Sequence, residues 1–166
     1  MIPQPPGLAE YTITASRRWA TGHSLETLGT NDGPEIRDWL ARRGIHTSAA
    51  WCASFACAMA EDAAAAIGVT LQLRRSAGAL RLLDLNPDLV LDAPETGCLV
   101  IWDEQDHGRG HAGIVTGITS IGGELASIEV ISGNTNLEGS SEGNAVVERG
   151  FPFPQVRKLA GYVRVA

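Results

Sequence analysis

The chain has 166 residues and 17.5 kDa, is 44% hydrophobic, and carries a formal charge of -6. That length supports one substantial core but not two comfortable domains, and the apolar content with four tryptophans excludes a disordered chain. A pI near 5.1 gives no general attraction to phosphate backbones or anionic lipid, which argues against nucleic acid and membrane surfaces as partners.

Three cysteines cannot all pair and no two form a Cys-X-X-Cys unit, so neither a disulfide framework nor a thiolate metal centre is signalled. Residues 1–11, "MIPQPPGLAEY", have no basic segment leading into an apolar one, and Glu61 and Asp62 interrupt the alanine-rich run. Neither an ordinary signal peptide nor a membrane span is expected. The basic pairs Arg17-Arg18, Arg42-Arg43 and Arg74-Arg75 read as separate solvated faces.

In chain order, residues 1–7 are a proline-rich, extended lead-in, followed by a weakly patterned segment. "NDGPEIRDWLARRG" predicts a short helix: Asp32 is a candidate cap, Pro34 suits the first turn, Ile36, Trp39 and Leu40 share a face, and Gly44 ends it. A longer helix is predicted from Ser48 to Ile67, capped by Thr47 or Ser48 and stopped by Gly68, with Cys52, Phe55, Ala56, Met59 and Ala63 on one stripe. "SAGALRLLDL" predicts a third helix. Beyond Pro94 and Gly97 the runs "CLVIW", "HAGIVTGI", "LASIEVIS", "NAVVERG" and "AGYVRV" predict five strands. Helices followed by strands read as a single α+β domain with a meandering antiparallel sheet.

The chemistry centres on "SAAWCASFACAMA". A thiolate is a far better nucleophile than a thiol, and a helix N-terminus stabilises the anion while its amides can face an oxyanion. Cys52 is placed for this. Cys57 lies about 140° around the helix axis and reads as a packed thiol. A buried cysteine among alanines is an equally ordinary occurrence, so Cys52 needs a base. His23 and His46 sit beside turn residues and His107 in the polar run "DEQDHGRG", whereas His111 opens the strand "HAGIVTGI", with Gly113 leaving a low surface beside it.

"ITSIGGELASI" signals a two-residue hairpin turn at Gly122-Gly123. A symmetric ladder from that turn sets Val115 against Val130 and Ile114 against Ile131, and reaches His111 against Asn134. A single bulge would break this alignment. Asn134 could accept the imidazole N–H and fix its tautomer, or serve only as a turn former in "SGNTN".

"WCASFACAM", "GHAGIVTG" and "ISGNTN", in that order, resemble the CHAP amidase/peptidase family of NlpC/P60-like, papain-fold hydrolases, over roughly residues 29–165. The resemblance implies a papain-like α+β fold with N-terminal helices on an antiparallel sheet of about five strands. It further implies cleavage of an amide bond in bacterial peptidoglycan, with Cys52 as nucleophile, His111 as general base and Asn134 as the orienting residue. Trp51, Gly110, Gly113 and Ser132, which flank these residues, are expected to border the substrate cleft. Two positions depart from the family pattern: Cys98 follows Gly97 where relatives often have Asp, and Ser132 stands where they often have Glu. Glu129 falls on the other strand face by parity.

No cofactor or metal is expected; Asp103, Glu104 and Asp106 are irregularly spaced for a cation. The expected partner is peptidoglycan or its stem peptides, acted on by a monomer after lysis or dedicated export. An endolysin-like enzyme and an interbacterial toxin with an immunity protein share this chemistry. The alternatives are a cysteine amidase for a non-wall substrate and a catalytically silent binding or virion domain.

Overall fold

A computed structural model describes residues 7–104, 109–136, 142–153 and 158–166. His107, Asp106, most of the lead-in and the middle of the "NTNLEGSSEGN" segment lie outside them. Among the described residues four helices, α1 (Leu8–Arg17), α2 (Pro34–Ala41), α3 (Cys52–Ile67) and α4 (Ala79–Leu85), precede six strands. These are β1 (Val90–Leu91), β2 (Leu99–Asp103), β3 (Gly110–Ile121), β4 (Glu124–Thr135), β5 (Ala145–Pro152) and β6 (Leu159–Val163). They form one antiparallel sheet in the order β1-β6-β2-β3-β4-β5, so the fold is α+β with one strand more than expected.

Helix α1 falls in the weakly patterned segment because part of its buried face is polar. Thr12 and Ser16 are fully buried, and their hydroxyls donate to the carbonyls of Leu8 and Thr12 at 2.8 and 2.6 Å. Such back-bonding satisfies a buried hydroxyl and leaves no apolar stripe to read. α2 starts after Gly33, and Asp32 does not cap it; its carboxylate takes a bidentate pair from Arg37 instead.

α3 begins at Cys52, four residues later than expected, after Trp51 rather than a Thr47 or Ser48 cap. It is also the centre of the core and not a one-sided helix. Every residue from Cys52 to Ala60 is buried. Alanine suits such a position because α1, α2 and the sheet all approach it closely.

The sheet buries both faces. Leu99, Ile101, Ala112 and Ile114 pack toward the helices, while Val100, Trp102, Val115 and Val130 form a second core. In a flat sheet β2 and β5 would stand about 14 Å apart, three strand spacings. The Trp102 and Phe151 rings on those strands are 5.2 Å apart, so the sheet curls over its second core.

The β3–β4 hairpin turns at Gly122 and Gly123, whose φ values of 63° and 90° suit the predicted tight turn. Ile121 pairs with Glu124 and Val115 with Val130, as the symmetric ladder requires, but two bulges lie between. Thr116 is the extra residue on β3 and Ala126 the extra residue on β4. Their one-residue slips are opposite and cancel.

Gly133 lets β4 lie against the start of α3. A Cβ there would fall 2.6 Å from Cζ3 of Trp51 and 3.1 Å from Cβ of Phe55. Both side chains are fully buried, so neither can retreat. Gly133→Ala should cost about 1–3 kcal/mol by overpacking, read as a lower urea midpoint; an unchanged midpoint would mean that β4 and α3 are not in register here.

Candidate active site

Cys52 is the first residue of α3, and only 4% of its surface is exposed. Phe55 N–H makes the first intrahelical bond, to Trp51 O, leaving the amides of the preceding turn without helical acceptors. Burial pushes the Cys52 thiol pKa up from its ordinary 9.0; the amides of Ala112, Ala53 and Cys52 itself pull it down, and the charge of Glu104 adds to the rise. The Ala112 contact sets the sulfur against β3, one residue from His111.

His111 is buried at 4% exposure and pairs with Trp102 of β2. Their rings stack 5.6 Å apart at 25°. Gly110, its neighbour, lies beneath α4: a Cβ there would meet Leu80 Cγ at 2.8 Å and Ala79 Cβ at 3.2 Å. The missing side chain lets α4 close down as one wall of a cleft.

That cleft, of about 580 Å³, is lined by Cys52, Asn134 and Gly110, with Ala79 and Arg81 of α4 on one side and Glu104, Arg109 and Glu142 near its rim. Its size suits a small ligand or a peptide segment. His111 is not among the lining residues; it follows Gly110 in β3. Arg109 and Glu142 join across the rim at 2.6 Å.

Asn134 reaches the cleft through a backbone irregularity. Between Ser132–Val147 and Thr135–Ala145, β4 uses one residue more than β5, and Asn134 takes φ 54°. Asparagine is among the few residues with a side chain that adopt this conformation readily. Its carbonyl accepts the Gly143 N–H at 3.0 Å, which anchors the returning loop. Asn134 thus sits in a bulge of β4 rather than in a turn, and it lines the cleft as well. The β3–β4 pairs end at Ile114–Ile131, short of His111 and Asn134. The same alignment persists one step beyond, where a Cβ on Gly113 would lie 2.6 Å from Ser132 Oγ.

Three of the four expected cleft-bordering residues are elsewhere. Trp51 is fully buried, 5.6 Å from Trp39 and 6.5 Å from Phe55 between ring centroids, with Nε1 donating to Glu26 at 3.3 Å. Proximity to Cys52 along the chain did not carry to the surface because the chain turns into α3 between them. Gly113 and Ser132 meet on the sheet away from the cleft, while Gly110 lines it.

Cys57 is fully buried, with its thiol 3.6 Å from the Ser76 carbonyl and its pKa pushed up to about 11 by burial. Glu129 pairs with Gly117 and Gly150, well along the hairpin from Asn134. Among the described residues no group of three His, Cys, Asp or Glu side chains could hold a metal, and no helix is long and apolar enough to cross a membrane.

The cleft residues missed by sequence reasoning are on α4 and near the strand ends. Arg81 and Asp84 share a face of α4, but nothing local signals that α4 packs over Gly110. The chain matches no protein-family profile, no curated protein and no solved structure.

Proposed function

We propose that the protein is a cysteine-dependent amidohydrolase acting on bacterial peptidoglycan. The observation that carries the reading is Cys52 at the first position of a buried helix, its sulfur against the Ala112 amide beside His111, in a cleft shared with Asn134. Resemblance of the three motifs to CHAP enzymes supplies the substrate class.

In this reading His111 takes the Cys52 proton as sulfur attacks an amide carbonyl, and the amides at the start of α3 receive the oxyanion. The C–N bond breaks, the amine leaves with the proton from His111, and a thioester remains. Water, deprotonated by His111, then cleaves the thioester and restores the thiol. Asn134 accepts the imidazole N–H and holds the tautomer in which the other nitrogen faces the thiol. Asn134→Ala should lower kcat about tenfold or more with little change in KM if it orients; a raised KM at constant kcat would assign it to binding instead.

The test is digestion of purified sacculi followed by mass analysis of the fragments. New amine and carboxyl termini would identify the bond; intact sacculi would refute the wall substrate. The near-complete burial of Cys52 favours one competing reading, a silent domain that keeps the fold. In that case iodoacetamide would label Cys52 no faster than Cys57 or Cys98.

A further inference from the structure

The cleft at Cys52 does not end at α4. Ala77, Gly78 and Arg81 line it and also line a second hollow of about 470 Å³, faced by Arg42, Arg43 and Arg75. The two hollows adjoin across Ala77, Gly78 and Arg81, with Arg81 lining both.

Three of the four guanidinium groups already hold carboxylates. Arg42 meets Asp38 and Asp62 at 2.8 and 2.7 Å, Arg43 meets Glu61, and Arg75 meets Glu61 through Nε at 3.3 Å. Arg81 is exposed and makes no ion pair with any described residue. With Glu61 shared between cations, the bay keeps a positive surplus. The cysteine side carries three acids, Asp84, Glu104 and Glu142, against two cations, Arg81 and Arg109, so the balance of charge shifts from positive in the bay to slightly negative near Cys52. An anionic group on a ligand is therefore repelled from one end and attracted to the other.

We propose that the arginine bay is the subsite for a carboxylate of the substrate, with Arg81 as the specificity residue and Arg75 beside it. The proposal rests on the amide-hydrolase reading for the identity of the ligand as a peptide. A guanidinium offers paired N–H groups that match a carboxylate and not a carboxamide. The groove then orients the substrate: its acidic part lies under α4 toward Arg75, and its uncharged part passes Cys52.

The experiment titrates the inert Cys52→Ala protein with muramyl peptides that carry either free stem carboxylates or the corresponding carboxamides, by calorimetry. The free-carboxylate peptide should bind about tenfold more tightly. Arg81→Gln should remove that difference without weakening the amidated peptide, and Arg81→Lys should restore part of it. Equal affinity for the two peptides, an equal loss for both in Arg81→Gln, or no binding of either would overturn the proposal. Cleavage by the wild type is scored separately. Arg81-dependent preference with intact sacculi would leave the subsite standing and remove the hydrolase; cleavage indifferent to amidation and to Arg81 would do the reverse.

Discussion

Cys52→Ala should reduce sacculus cleavage by roughly 1,000-fold or more, with the melting temperature lowered by only about 2–4 °C. The loss is large because the sulfur forms the covalent bond that divides the reaction, and no other described thiol lines the cleft. The fold should survive because the substitution removes one atom from a helix already rich in alanine, at a cost of about 1 kcal/mol. His111→Ala should cost a similar factor in rate but also open space beside Trp102, so His111→Gln is the better control. Because burial raises the Cys52 pKa, the resting group is a neutral thiol that needs a base. Alkylation by iodoacetamide should therefore accelerate with pH, with its midpoint above 9.0, the ordinary thiol value. Undiminished cleavage by Cys52→Ala would end the mechanism.

Alkali should destabilise the protein markedly before most side chains titrate. Burial pushes Cys57 from 9.0 to about 11 and Cys98 from 9.0 to about 12, and raises Cys52 and Tyr162 as well. A group with a raised folded pKa holds its proton when the unfolded chain has lost it, so its contribution is complete below pH 9 and vanishes as pH rises through the folded value. At pH 10.5 the two thiols together should withdraw about 4 kcal/mol, about 2 kcal/mol each. Urea unfolding at pH 8 and 10.5 measures this directly. A Cys57→Ala, Cys98→Ala variant should lose the part these two thiols supply and keep that of Cys52 and Tyr162; an identical pH slope in that variant would place the alkaline sensitivity elsewhere.

Local chemistry made the long helix, the Gly122-Gly123 turn and the order of the main strands legible. The turn was readable because two adjacent glycines between alternating apolar runs permit one compact geometry. α1 was not, since Thr12 and Ser16 bury hydroxyls that look polar in a sequence yet are satisfied by their own helix. Trp51 misled for a related reason: a residue beside Cys52 in the chain points into the core where the helix begins. Cys52 and Asn134 could be nominated as cleft residues from helix phase and hairpin counting. Arg81 could not, because its position depends on α4 lying over a strand that starts some thirty residues later.

The cancelling bulges at Thr116 and Ala126 divide the β3–β4 hairpin into two halves with different histories open to them. The one-residue displacement that Ala126 introduces is taken back at Thr116, before Val115–Val130 and Ile114–Ile131. Insertions or deletions matched across the two strands can therefore accumulate beyond Thr116 while the end that carries His111 and Asn134 keeps its alignment. A residue pair added to or removed from the outer arm would leave the facing of His111 and Asn134 as it is.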